Sequence, residues 1–223
     1  MRKIPWKPST MLYPVPAVLV TCREKGGRAN IITIAWAGTI CSEPPMLSIS
    51  VRPERHSHAI IEATGEFVVN IPTAAQAETV DWCGVVSGRD TDKFRARSLT
   101  AVPAATVEAP LIAECPLHLE CRVTEARRLG SHTLFIAEVT AVQASETLME
   151  TNGRFALEKA GLLAYAHGHY YELGRQIGHF GFSVRKKQDG TDTKAGKSTR
   201  PAKAGAPHRK PGPKKSAPHR KDS

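Results

Sequence analysis

Three basic residues, Arg52, Arg55 and His56, fall within five positions and run straight into a hydroxyl at Ser57. Such a turn, if it opens a helix, makes a seat for a phosphate. The first N–H groups of a helix have no partner inside it, and the helix dipole adds partial positive charge. Charge-assisted hydrogen bonds of this kind contribute roughly 1.5–3 kcal/mol each. An ordinary helix cap flanked by surface arginines fits the same residues equally well. Upstream, Asn30, Thr33 and Trp36 offer polar and aromatic groups near the end of an apolar segment, and Ser48 and Ser50 share the polar face of another. A flat heterocycle with ring carbonyls and nitrogens needs such a wall, apolar on its face and hydrogen-bonding at its edge. Taken singly, Trp36 fits a core position and Asn30 a turn cap.

The elements that must position these residues read mainly as strands. Val15–Arg23 and Ala29–Ala37 are apolar and β-rich, with Gly26-Gly27 between them, a hairpin signal. Met46–Arg52 alternates, so Leu47, Ile49 and Val51 should face a core while Ser48, Ser50 and Arg52 face away. Ser57–Thr64 reads as a helix with Ser57 as its N-cap and Gly65 just past its end. Glu66–Ile71 is a short strand. Thr73–Trp82 opens with the capping-box pattern Thr-x-x-Gln. Leu117–Glu125 and His132–Ala144 are longer strands joined by a turn at Arg127–Gly130, and Leu162–Tyr165 with His169–Leu173 forms a late hairpin around Gly168. Strands so spaced, with short helices between them, predict a mainly β protein built on an antiparallel barrel.

The 223 residues divide sharply by charge. Residues 185–223 hold thirteen Lys/Arg against three Asp, a net of +10, whereas residues 1–184 hold eighteen of each sign. The tail has no large apolar residue and repeats Ala-Pro-His-Arg-Lys, so it is expected to stay disordered. We therefore expect one domain over residues 1–184 and a basic Lys/Arg/Pro-rich tail over 185–223. Any contact of the tail with a polyanion should be non-specific and salt-dependent, because it has no aromatic residue to stack on bases. No run of eighteen apolar residues occurs, which argues against membrane insertion, and the Pro-rich start lacks a signal-peptide core. Five cysteines without a C-x-x-C pair fit reduced thiols in the cytoplasm and give no zinc site. Cys83 reads as a buried structural thiol rather than a redox group. His167 and His169 share a face if their segment is a strand, and with His179 could ligate a metal, but no carboxylate or thiolate sits at helpful spacing. No metal is assigned.

Several segments together resemble the flavin reductase-like, FMN-binding split-barrel family, and within it the flavoredoxin branch. They are Asn30-Ile-Ile-Thr33-Ile-Ala35-Trp36, Ser42-Glu-Pro-Pro45, Ser50-Val-Arg52-Pro-Glu-Arg55-His-Ser57 and Gly65-Glu-Phe-Val-Val-Asn70. Cys83-Gly84, Ser87-Gly-Arg-Asp-Thr-Asp-Lys93-Phe94 and Gly130-Ser-His132-Thr-Leu-Phe-Ile-Ala-Glu138-Val follow in order. The resemblance implies a Greek-key split barrel, homodimeric, with FMN near the subunit interface. Carried over residue by residue, Asn30, Thr33, Ala35 and Trp36 would line the ring. Ser50, Val51 and Arg52 would follow its edge and the ribityl chain, while Arg55, His56, Ser57 and Lys93 would hold the phosphate. His132 would lie on the nicotinamide side, with Ser131 in place of the family's usual Asp; no other catalytic residue is implied. In a reductase, hydride passes from NAD(P)H to the flavin, and the protein supplies orientation and electrostatics. A flavoredoxin-type electron carrier reduced by a redox partner protein is the alternative. A degenerate barrel that grips nucleic acid through its tail is a third reading.

Overall fold

The computed structural model describes residues 1–184, so the expectation of a disordered tail lies outside the described residues. The chain divides between Arg175 and Gln176 into two units. The expected boundary at 184 falls inside the second unit, whose described part holds one short 3-10 turn, Phe182–Val184.

In the first unit, seven antiparallel strands form one curved sheet: β2 (Val18–Arg23), β3 (Ala29–Ile34), β4 (Ala37–Cys41), β5 (Met46–Val51), β6 (Glu66–Ile71), β9 (Leu117–Leu129) and β10 (His132–Ala144). Their order is β3-β2-β6-β9-β10-β5-β4. The two edge strands, β3 and β4, are consecutive in the chain. A bend at Ala35–Trp36 carries the backbone from one edge of the sheet to the other, and Ser50 N–H donates to Trp36 C=O across it (2.9 Å). This closure makes the sheet a split barrel. It also corrects the reading of Ala29–Ala37 as one strand: the apolar run continues, but its hydrogen-bond partner changes from β2 to β5.

Alternation sets the interior. Leu47, Ile49 and Val51 are buried while Met46, Ser48 and Ser50 are half-buried, as the pattern predicts. With Phe67, Val69, Phe135 and Ile61 they fill the barrel. β2 and β3 are covered on their outer face too, by α2 (Ala77–Val85), so Leu19 and Ile31 pack with Val80 and Cys83 in a second cluster. Burial on both faces is why these two strands read as continuous apolar runs.

The helix α1 spans His56–Thr64, and Gly65 ends it in the left-handed region at φ 70°. Its N-cap is Arg55, with extended backbone and no side-chain cap. Ser57 is thus the second helical residue rather than the expected cap, because its hydroxyl is engaged with Asn30 instead. At Thr73 the backbone N–H donates to Gln76 Oε1 (2.9 Å), as the capping pattern predicts, but a 3-10 turn over Ala74–Gln76 precedes α2. The short α3 (Lys93–Ala96) follows, with Asp92 as its cap.

The long hairpin turns at Gly130–Ser131, and the strands run on through Leu129 and from His132, so the turn is shorter and later than the expected Arg127–Gly130. A smaller sheet joins β1 (Val15–Pro16), β11 (Leu163–Ala166) and β12 (His169–Glu172), and a two-stranded ribbon pairs β7 (Ala101–Val102) with β8 (Leu111–Ile112). His167 sits in the β11–β12 turn at φ 49°, not on a strand face with His169.

Candidate functional site

Two clefts meet at the barrel's closing corner. The larger, about 450 Å³, has β3 and the Ala35–Trp36 bend on one side, with Thr33, Ala35 and Trp36 in its lining. Ser50, Val51, Arg52 and Arg55 enter from β5 and the turn after it, and His132 from the start of β10. The smaller, about 210 Å³, is lined by Asn30, Arg55, His56, Ser57, the loop Ser87–Arg89 and Lys93. Ile32, Arg55 and Gly84 line both, so the clefts are contiguous. Every residue expected to hold the cofactor therefore borders one of the two.

Register explains the larger cleft. Thr133 pairs with Val51 across β10 and β5, which sets His132 beside Arg52. Burial and the nearby Arg52 charge lower the His132 pKa, and Ser131 Oγ lies 2.9 Å from its Nδ1. Ser131 thus contacts the His132 imidazole. The Thr33 hydroxyl donates to the Val80 carbonyl, so Thr33 presents mainly its body to the cleft and ties β3 to α2.

The smaller cleft has an unusual electrostatic floor. Lys93 is only 4% exposed, and its Nζ donates to the carbonyls of Ile31 and Cys83, each at 2.7 Å. Burial lowers its pKa to about 8. No carboxylate among the described residues pairs with it. Asn30, 5% exposed, donates from Nδ2 to Ser57 Oγ (2.8 Å). His56 leans toward Glu24 (3.7 Å), and Arg52 toward Glu54 (3.5 Å). With the uncapped start of α1, the cleft presents cations and N–H donors and wants an anion.

Sequence reasoning placed neither Gly88 nor Arg89 in the cofactor site, although the segment holding them was noted. Arg28 donates to the Gly88 carbonyl (2.6 Å) and Arg89 to the Glu54 carbonyl (3.2 Å), which draws this loop over the small cleft. It also missed Asp81, Tyr165 and Tyr170, the outer wall of the larger cleft. Tyr170 donates to Asp81 Oδ1 (3.2 Å), and its ring packs edge-on against Tyr165 at 5.4 Å. Nothing in spacing links Asp81 to Tyr170, eighty-nine residues on.

The sequence profile described as "Flavin reductase like domain" matches residues 10–174. The chain belongs to the flavin reductase-like family. Among solved structures, this family member is similar to the flavoredoxin of Desulfovibrio vulgaris (Miyazaki F). The TM-score is 0.77 at 30% identity, over 82% of this chain and all of that one. Flavoredoxin from Methanosarcina acetivorans gives 0.74 at 28%, over 83% and 100%. An FMN-binding protein from Thermus thermophilus, with 1-cyclohex-2-enone bound, gives 0.68 at 26%, over 80% and 99%.

Two thiols near the site of this flavin reductase-like chain are held toward their neutral form. Cys22 is buried, and desolvation pushes its thiol up to about 12; Cys83 is raised by the same cause. All five cysteines are free. Among the described residues, no group of three or more His, Cys, Asp or Glu is arranged to hold a metal ion. None of their helices is long and apolar enough to cross a membrane.

Proposed function

We propose that the protein is an FMN-dependent oxidoreductase that accepts hydride from NAD(P)H. The observation that carries the reading is the pair of contiguous clefts, one walled for a flat ring and the other built around a buried, carboxylate-free ammonium. When bound, FMN supplies a ring whose N5 takes up hydride and whose reduced form passes electrons on. The chain's residues bind and orient it. Thr33, Ala35 and Trp36 give the ring its wall, and Ser50, Val51 and Arg52 border the adjoining edge. Arg55, His56, Ser57, Lys93 and the first N–H groups of α1 hold the phosphate. His132, in contact with Ser131, borders the nicotinamide side, and burial with the nearby Arg52 charge shifts it toward its neutral form.

The similarity to two flavoredoxins favours a second reading, an electron carrier reduced by a protein partner. Anaerobic titration decides between them. Bleaching of bound FMN by stoichiometric NADH or NADPH is the expected result. A tightly bound flavin that neither nucleotide reduces would leave the carrier reading. A homodimer, a cytoplasmic location and a separate basic tail from residue 185 belong to the same proposal. Sedimentation velocity of the full chain and of residues 1–184 tests the first and last; a monomer that retains FMN would remove the dimer from the scheme. Salt-sensitive retention on heparin by the full chain alone would support a polyanion contact by the tail.

A further inference from the structure

Asn30 sits in β3 between two other elements of the smaller cleft. Its Nδ2 donates to Ser57 Oγ in the first turn of α1 at 2.8 Å. Its Oδ1 faces Gly88: a Cβ there would lie 1.9 Å from Oδ1, so only a glycine hydrogen fits. A carbonyl oxygen suits that neighbour, whereas an amide NH₂ turned that way would lose its acceptor. The carboxamide is thus held in one orientation, with its donor toward the serine. A serine hydroxyl has one hydrogen and two acceptor sites. Asn30 fills one acceptor site. Ser57 also lies beside the buried Cys22 thiol, which stays neutral because desolvation pushes it up to about 12 and so can fill the second acceptor site as a weak donor. The serine hydrogen is then left for another partner, and Ser57 lines the cleft with Arg55 and Lys93.

We propose that Asn30 is a positioning residue: by donating to Ser57 Oγ it turns the serine hydroxyl hydrogen into the smaller cleft, toward a phosphate oxygen. This assignment rests on the FMN reading. It makes Asn30 act on the phosphate through Ser57, rather than on the ring that it was expected to line. It also gives a use to a polar side chain that β3 would otherwise bury at a cost.

Flavin fluorescence titrations with FMN and riboflavin, which differ only by the phosphate, test it without reference to turnover. Asn30→Asp keeps the shape but replaces the donor by an acceptor, so the serine hydrogen turns back to the carboxylate and a negative charge enters the seat. We expect FMN affinity to fall about 10- to 100-fold while riboflavin affinity changes less than about threefold. Asn30→Ala and Ser57→Ala should each weaken FMN, and the double variant should be no weaker than Ser57→Ala alone. Equal losses for both flavins, or single losses that multiply in the double variant, overturn the assignment. If Asn30→Asp does not fold, the alanine cycle decides. An unaltered protein that binds neither flavin overturns the FMN reading itself, and this assignment with it.

Discussion

Lys93 carries a positive charge into a place that water hardly reaches, and two backbone carbonyls are its partners. Desolvation lowers its pKa to about 8, with Cys83, Arg55 and Cys22 as the charges or ionisable groups around it. Cys22 and Cys83 are themselves raised, so their thiols stay neutral as Lys93 titrates. A phosphate monoester is dianionic above about pH 6, so it favours the ammonium form. FMN affinity should therefore hold below about pH 7.5 and fall as pH rises through 8, by up to about tenfold per pH unit. Stability without ligand runs the other way. A lysine lowered from 10.5 to about 8 binds more protons unfolded than folded, so its contribution to stability grows as pH rises through that window. Lys93→Met should weaken FMN at pH 7 and abolish the fall near pH 8. Fluorescence titration across pH 6.5–9 reads both, and a fall that persists in the variant would assign it elsewhere. At this scale the sequence was informative wherever chemistry is local. Arg52, Arg55, His56 and Ser57 stand together in the chain and together in the site. Lys93 is one of thirty-one cations, and only family resemblance singled it out; its burial depends on β3 and α2 meeting around it.

Elements whose pattern is written in neighbouring residues were legible: the alternation of β5, the β2–β3 hairpin and the Gly65 stop after α1. Elements decided by distant partners were not. The bend at Ala35–Trp36 lies inside an unbroken apolar run, and what ends β3 there is the change of strand partner. Ser57 has the right type for a cap, yet Asn30, twenty-seven residues away, takes its hydroxyl. The loop Ser87–Arg89 shows the same dependence, and it yields a prediction. Gly88→Ala would place a methyl 1.9 Å from Asn30 Oδ1 and 2.5 Å from its Cγ, in a site where Asn30 is buried and hydrogen-bonded. Either the loop lifts from β3 or the carboxamide leaves Ser57. We expect a stability loss of about 1–3 kcal/mol in urea unfolding, and FMN affinity lowered with it. Adding Asn30→Ala should restore stability but not affinity. At Gly84 the same change is milder, because a Cβ would meet Thr33 Cβ at 3.2 Å, a contact that a small shift relieves. Equal effects at the two glycines would show that backbone conformation, not Asn30, is what Gly88 protects.

Across the barrel as a whole, the segment between α3 and β9 is held against the sheet, where it covers the outer face of β6. Val68 there is buried with Val107, Ala109 and Leu111. Apolar contact alone does not fix such a loop, and two polar braces do. Asn70 Oδ1 accepts from Ile112 N–H (2.9 Å) and lies 2.8 Å from His118 Nδ1. Glu120 is fully buried and accepts from Ala105 N–H (3.0 Å), Thr106 N–H (2.6 Å), Thr106 Oγ1 (2.7 Å) and Gln143 Nε2 (2.6 Å). No sequence pattern announced these braces, since a lone Glu in a strand reads as an exposed position, and the donors come from two other segments. Burial by itself would raise the Glu120 carboxyl; the four hydrogen bonds outweigh it, and the pKa is lowered. The sign of the pH effect follows. A carboxyl lowered on folding contributes stability that is fully present above its unfolded value, about 4.3, and is lost as pH falls through the folded one. Glu120→Gln keeps the size but sets an NH₂ against backbone donors, so it should cost about 2–4 kcal/mol at pH 7. In urea unfolding the gap between protein and variant should stay constant from pH 7 to 5 and narrow only below about pH 4. A gap that does not narrow there would mean that the carboxylate charge contributes nothing, and that Glu120 braces the loop by shape alone.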